Sequence, residues 1–285
     1  MTVDLAVDDH VATITLDRPP LNTYTVGLKD DLVGALDVAE ADDAVRAIIV
    51  TGRGKAFCAG MDLSPGPRAF ARLDEPERAR TRDSGGELAL RFYACAKPLI
   101  AAVNGPAMGV GVTMTLPMDL RLASTRARFG FVFAQRGIVM ESCSSWFLPR
   151  LVGMAKAAEW VTTSRVLTAE EALAGGLVTS VHEPDDLLPA ARAVAAGIAR
   201  DAAPVSVALN RMLMWRMLGE PHPMAANVAE SRAMLLRGES PDSTEGVASL
   251  LERRQAEFAQ TVPRDLPAIP MGPADPAFTA GPPAC

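Results

Sequence analysis

From Val11 to Leu16 the chain alternates, with Ala12, Ile14 and Leu16 on one face, which predicts a half-buried strand ended by Asp17-Arg18-Pro19-Pro20. Leu28, Leu32 and Leu36 recur every fourth residue and predict an amphipathic helix. Ala47-Ile48-Ile49-Val50 is a short apolar run ending in Thr51-Gly52, the pattern of a fully buried strand. Leu99 to Val103 repeats that pattern and ends in Asn104-Gly105; Leu120 to Ala123 and Leu177 to Val181 offer two more. The apolar run from Val110 to Leu116 predicts a helix opening at Gly109 and Gly111. After Pro184 the periodicity is helical over Leu187 to Arg200, Pro204 to Leu218 and Ala225 to Leu236. Strand, glycine-bearing turn and helix recur, which points to an α/β layered fold, although no repeat is visible in the sequence itself.

Composition narrows the chemistry. The 285 residues carry 28 Lys+Arg against 34 Asp+Glu, a net charge of −6, and this acidic balance argues against nucleic acid as a partner. Hydrophobic residues make up 49% and charged ones 22%, as in a folded globular chain of one large or two ordinary domains. Only His10, His182 and His222 are histidines, which disfavours histidine metal sites and Ser-His-Asp hydrolysis; no zinc-ligand spacing occurs, and no metal is expected. Cys58, Cys95, Cys143 and Cys285 show no paired spacing and read as reduced thiols in a cytoplasmic protein. Met1-Thr2-Val3-Asp4 carries acid where a secretory signal carries base. The 21 uncharged residues between Lys97 and Asp119 are long enough for a membrane span, but Asn104-Gly105-Pro106, Gly109, Gly111 and Pro117 interrupt them, so no membrane role is expected.

Ser64 to Glu87 differs from its surroundings. It holds Arg68, Arg72, Arg78, Arg80 and Arg82 with Asp74, Glu75, Glu77, Asp83 and Glu87, and reads either as a solvated helix or loop or as a mobile segment beside a site, with an arginine meeting phosphate. From Pro263 onward 7 of 23 residues are proline, which predicts an extended or disordered tail. Gly52-Arg53-Gly54-Lys55 is not a phosphate loop, because Ile49 and Ala56 stand where Gly and Ser/Thr are needed. Gly109-Val110-Gly111 does not open a dinucleotide site, because Met114 stands at the third glycine position.

Two glycine-bearing turns remain, Lys55 to Leu63 and Asn104 to Gly111, each following a buried strand. Such turns expose backbone N–H groups, and two converging N–H donors stabilise a developing oxyanion by about 3 kcal/mol each. In this order, with Leu16-Asp17-Arg18-Pro19 and Asn22, Ala56-Phe57-Cys58-Ala59-Gly60-Met61-Asp62-Leu63, Lys97 to Gly105, Met118-Asp119-Leu120-Arg121-Leu122-Ala123, Ala127-Arg128-Phe129-Gly130 and Gly175-Gly176-Leu177-Val178, the chain resembles the crotonase superfamily, the enoyl-CoA hydratase/isomerase family, from about Val3 to Phe258. The resemblance implies a spiral of ββα turns over residues 1–180, a helical trimerisation region over 181–260 and a Pro-rich tail over 261–285. It implies an acyl-CoA thioester as ligand, coenzyme A entering only as part of the substrate with no other cofactor, and a homotrimer or homohexamer. By position, Met61 and Val110 would supply the oxyanion-hole N–H groups, and Ala59, Gly60, Asp62, Leu63 and Gly109, with Pro20 nearby, would line the substrate path. Asp62 also reads as a loop carboxylate capping backbone N–H groups.

The carboxylates choose among reactions. Hydratases of the family use two glutamates, and Thr113 and Phe133 occupy those positions here. Gly137 to Ser145 instead resembles the segment in which Δ3,Δ2-enoyl-CoA isomerases place their single glutamate, here Glu141 behind Met140 rather than the usual proline. A glutamate flanked by Phe131, Phe133, Val139, Met140 and Trp146 is expected to be desolvated and more basic than usual. The alternative reading of Glu141 is a carboxylate at the head of a helix, bound to backbone N–H groups. The resemblance therefore implies an isomerase, with a hydratase using Glu141 with a water or a distant acid such as Glu87, or a catalytically silent acyl-CoA-binding homologue, as the other readings.

Overall fold

The apolar runs pair with one another in chain order. The computed structural model describes residues 1–66, 69–70, 82–272 and 275–278. β1 (Val3–Asp8) and β2 (Val11–Leu16) form an antiparallel hairpin, and β3 (Ala47–Gly52), β4 (Leu99–Val103), β6 (Leu120–Ser124) and β9 (Ser180–His182) add to it in parallel. A second sheet joins β5 (Pro106–Met108), β7 (Arg128–Gly130) and β8 (Val166–Thr168). Each turn of the spiral thus places one strand in the large sheet and a shorter one in the small sheet before a helix. Cys58, pairing in parallel with Ala107, serves as the short strand of the turn before. The result is the mixed α/β spiral expected of a crotonase-like chain.

Helix α1 (Val26–Ala41) lays Leu28, Leu32, Leu36 and Ala39 against the sheet, with the Thr25 hydroxyl accepting from Leu28 N–H at its head. At its far end the buried Lys97 ammonium donates to Ala39 O and Asp42 O at 3.0 and 2.6 Å, a cation placed where helix carbonyls are left over. Helix α2 (Ser84–Ala94) follows, then α3 (Val110–Thr113), α4 (Ser144–Val152), α5 (Met154–Thr163) and α6 (Ala169–Ala174). Helix α7 (Leu187–Asp201) covers the opposite face of the large sheet with Leu187, Ala191 and Ala195, whose small side chains let the helix lie close to Val11, Ala47, Ile49 and Ile100. Helices α8 (Pro204–Met217) and α9 (Met224–Gly238) build a separate apolar cluster around Val205, Leu209, Leu213 and Ala229, which Val262 and Met271 join from beyond α10 (Pro241–Glu252).

Several sequence expectations shift. β2 is not half-buried: α7 covers its second face, so Val11 and Thr13 are buried as well. The expected strand over Leu177 to Val181 pairs only from Ser180 to His182, because the buried Arg121 side chain takes the Leu177 carbonyl at 2.7 Å. The expected helix over Val110 to Leu116 is α-helical only to Thr113. Beyond it, Arg121 claims the carbonyls of Thr115, Leu116 and Met118, and tight turns replace the helix. The division near Ser180 falls inside the large sheet, since β9 is its last strand and α7 packs on its face. The uncharged stretch before Asp119 folds into β4, β5 and α3, and among the described residues no helix is long and apolar enough to cross a membrane.

Candidate active site

The two glycine-bearing turns are stitched to each other. Cys58 N–H donates to Pro106 O at 3.1 Å and Met108 N–H to Cys58 O at 3.0 Å. Glycine is required on both sides of this seam. Gly60 has φ +96° and a Cβ there would stand 2.9 Å from Met108 O, while a Cβ at Gly111 would overlap Cys58 O. Tyr24 brackets the first turn, its N–H donating to Gly60 O at 2.8 Å and its carbonyl accepting from Asp62 N–H at 2.9 Å, so the Met61 N–H between them is left over. In the second turn Gly109, at φ +51°, donates to Gly130 O at 2.9 Å and leaves the Val110 N–H at the head of α3. Neither the Met61 nor the Val110 N–H donates to any group among the described residues.

Both residues line one cavity of about 550 Å³, with Ala59, Gly60, Leu63, Gly109 and Glu141. The rest of its wall is largely apolar, including Phe70, Val132, Phe133, Ile138, Val139 and Met140, with Gln135 and Arg136 also on the lining. Pro20 and Asp62 are not on that lining. Asp62 instead accepts from Ser64 N–H at 2.9 Å and from Arg18 at 2.6 Å, and these bonds hold its carboxyl down to about 2. The structure therefore places it as the capping carboxylate of its loop.

Glu141 is held by hydroxyls, not by backbone N–H groups. Thr113 Oγ1 donates to Oε1 at 2.5 Å and Ser142 Oγ donates to Oε2. Burial against the apolar wall pushes its carboxyl up from 4.5 to about 7, and the nearby Asp83 charge adds to the rise, while the two hydroxyls oppose it. Thr113, standing where a hydratase would carry its first glutamate, thus supports a cavity carboxylate whose partners among the described residues are two hydroxyls. Phe133 lines the cavity at the second such position. Glu87 is turned away, its carboxylate 2.9 Å from Lys29 Nζ.

Tyr24, Asp83, Ser84 and Gly85 also line the cavity; the last three lie in the Ser64 to Glu87 segment, and the sequence assigned none of the four an individual role. Tyr24 is buried, donates to Ser84 Oγ at 3.3 Å, and burial raises its phenol well above the ordinary range, so it stays protonated. Gly85 is in the first turn of α2, where a Cβ would overlap Glu141 Oε2 and Ser142 Oγ. Consecutive Gly85 and Gly86 cost a helix about 1 kcal/mol each relative to alanine. A helix beginning Asp-Ser-Gly-Gly is locally unfavourable, and that mismatch was the available signal. Arg82, Asp83 and Glu87 are described, but Arg68, Arg72, Asp74, Glu75, Glu77, Arg78 and Arg80 lie outside the described residues, as do Cys285 and parts of the Pro-rich tail.

A second groove of about 600 Å³ runs between the β1–β2 turn, the end of α7 and residues 255–259. Its Arg46 is committed to the carbonyls of Ala199 and Phe258 at 2.9 and 3.1 Å, and it presents no comparable arrangement of base and free donors.

Comparison with known proteins gives a consistent picture. The family model described as enoyl-CoA hydratase/isomerase matches residues 7–261. The enoyl-CoA hydratase ACTT3 of Alternaria alternata is 41% identical over 264 residues, 92% of this chain and 87% of its own length. The (E)-benzylidenesuccinyl-CoA hydratase of Thauera aromatica is 34% identical over 262 residues, covering 90% of this chain and 99% of its own. Among solved structures, the enoyl-CoA hydratase of Bacillus anthracis superposes with a TM-score of 0.82 at 27% identity, covering 90% of this chain and 99% of that one. The enoyl-CoA hydratase/isomerase of Pseudoalteromonas atlantica does so with a TM-score of 0.68 at 33% identity, covering 91% and 100%.

Proposed function

The chain belongs to the enoyl-CoA hydratase/isomerase family, and from that premise we propose that it is a Δ3,Δ2-enoyl-CoA isomerase working with one carboxylate. The observation that carries this reading is Glu141 as, among the described residues, the lone cavity carboxylate free of backbone N–H and cationic partners, with Thr113 and Phe133 at the two positions where hydratases carry glutamate. The thioester carbonyl of a 3-enoyl-CoA accepts from the Met61 and Val110 N–H groups. Glu141 takes a proton from C2, the charge spreads through the dienolate onto the carbonyl oxygen, and the same carboxyl returns the proton at C4. Hydration needs water activated and the α-carbon protonated, for which two carboxylates are the family's usual means. The hydratase names of the relatives favour a second reading, in which Glu141 activates water itself.

A panel of CoA thioesters separates the two. Conversion of a 3-enoyl-CoA to the conjugated 2-enoyl thioester, read by ultraviolet absorbance, supports the isomerase. Turnover of crotonyl-CoA to the 3-hydroxy thioester, under conditions that leave the 3-enoyl-CoA untouched, supports the hydratase; binding without turnover across the panel leaves a silent acyl-CoA-binding homologue. The pH profile follows from the carboxyl at about 7. Protonation below that value removes the base, so kcat/KM climbs with pH and levels off above about 7. A limb near 4.5 would mean that the catalytic acid is not this one.

The C-terminal helices support an oligomer. Met234, Leu235, Leu250 and Leu251 are each at least 70% exposed on α9 and α10, far beyond what a solvated helix face needs. A homotrimer or homohexamer accounts for them, and light scattering after size exclusion checks it: the expected mass is three or six chains, and a monomer at micromolar concentration contradicts it. Cys58, Cys95 and Cys143 are unpaired, which favours a cytoplasmic location.

A further inference from the structure

We propose that Asp83 is the positioning residue for Glu141, clamping the loop that carries the base onto the head of α2. This inference rests on Glu141 being the base. Asp83 Oδ1 accepts from Gly85 N–H at 3.0 Å and Oδ2 from Gly86 N–H at 2.8 Å, as a helix cap does. A cap needs nothing more, yet Oδ2 also accepts from Ser142 N–H at 2.7 Å, 59 residues further along the chain. Ser142 in turn holds Glu141 Oε2 through its Oγ. The line from Asp83 to the base is therefore one backbone bond and one side-chain bond long.

The loop needs such a hold. Ser142 and Cys143 stand at φ +55° and +53°, two successive non-glycine residues in the left-handed region, each costing about 1–2 kcal/mol. Ser142 is fully buried, so its N–H must find an acceptor, and Asp83 supplies it. Gly85 completes the fit, because any side chain there would occupy the place of Glu141 Oε2. A carboxylate suits the task better than other caps: two oxygens serve three N–H donors, whereas an asparagine offers one oxygen and a serine one hydroxyl.

The Asp83 charge also acts on the base. The ionisable groups facing Glu141 are Asp83 at the head of α2, Tyr24 ahead of α1, Cys58 in the first turn and Cys143 on its own loop, with Arg136 on the same cavity wall. Burial holds Tyr24 and both thiols in their neutral forms near pH 7, so Asp83 is the close negative charge. Removing it lets Glu141 ionise at lower pH.

Asp83→Asn and Asp83→Ser test this, the second keeping a good helix cap while losing both the charge and the reach to Ser142. Steady-state kinetics on a 3-enoyl-CoA should show kcat lowered about tenfold or more with KM changed less than about threefold, as a displaced base predicts. The acid limb of the pH profile should move down by about half a pH unit or more in both variants. A residue that merely capped α2 would lower urea stability and leave the limb in place, and that result, or wild-type kcat in Asp83→Ser, overturns the proposal. Glu141→Gln assayed in parallel separates the two levels: if it retains activity, the base itself is misassigned, whereas an inactive Glu141→Gln beside an unaltered Asp83 pair refutes only the clamp.

Discussion

Glu141→Gln lowers kcat for isomerisation by about 10³-fold or more while leaving thioester binding nearly intact. The size follows from the proposed role: a positioned general base contributes about 10² to 10⁴, and in the proposed isomerisation one carboxyl serves both proton transfers. The glutamine keeps the shape and an acceptor for Thr113 Oγ1, so the cavity and the Met61 and Val110 donors are undisturbed. Stability moves the other way. In the folded chain the carboxyl sits at about 7, above its ordinary 4.5, so the native state binds more protons than the unfolded one between those values and loses stability as pH rises through them. Above pH 7 the wild type carries the full cost of a desolvated charge, on the order of 3 kcal/mol. Glu141→Gln is therefore more stable than wild type at pH 8 by about that amount, and the gap closes below pH 4.5. Urea midpoints at pH 4.5 and 8 check this; equal gaps at the two values, or kcat within tenfold of wild type, would remove Glu141 from the role.

Arg211→Met destabilises the fold by about 3–5 kcal/mol, the range for breaking a buried charge pair. The Arg211 guanidinium on α8 is buried and donates to Asp119 Oδ2 at 2.8 Å, to Phe92 O, Tyr93 O and Pro117 O at 3.0, 3.1 and 3.4 Å, and to Cys95 O. Four of these partners are carbonyls at the end of α2 and before β6 with no cation to replace it. Asp119 is further held by Trp215 Nε1 at 3.0 Å and itself accepts from Leu99 N–H at 2.7 Å, so losing the arginine leaves a half-buried carboxylate among fixed groups. Lysine does not rescue the site, because a single ammonium lacks the planar fork that reaches five acceptors. Urea denaturation at pH 7 measures the loss, and a change under 1 kcal/mol would show that α8 docks by its apolar face alone.

The parts of this molecule that were legible from sequence are those with a short-range cause. Ala47 to Val50 and Leu99 to Val103 are buried on both sides and read as unbroken apolar runs, and both are strands at those places. The Leu28, Leu32, Leu36 spacing marks α1 because one face alone meets the sheet. Where a distant group decides, the sequence is silent. Nothing in Val110 to Leu116 announces that the N–H groups of Thr115 and Leu116 turn to carbonyls three residues back, or that Arg121 then gathers the carbonyls of Thr115, Leu116 and Met118. Nothing in Val11 to Leu16 announces α7, about 175 residues later, across its second face. At the site the same division holds. Glu141 and the two glycine turns came from motif and resemblance, and the cavity brings together Met61, Val110, Gly109, Gly60, Ala59, Leu63 and Glu141. Tyr24, Asp83 and Gly85 were missed because their contribution lies in contacts with residues 36 to 60 positions away. Asp62 was ambiguous between ligand path and loop cap until its bonds to Ser64 and Arg18 were seen.

The order of strands in the large sheet, β1-β2-β3-β4-β6-β9, has a consequence for how the chain assembles. Every strand after the first pairs with one that has already emerged from the ribosome, so the sheet can grow from its N-terminal edge during synthesis with no strand inserted between two earlier ones. The docking of α8 is a closure of another kind. Arg211 must return to Asp119 and to the end of α2, roughly 90 to 120 residues back, after the whole spiral has been made. Birth order thus favours the spiral and leaves the docking of α8 to follow it.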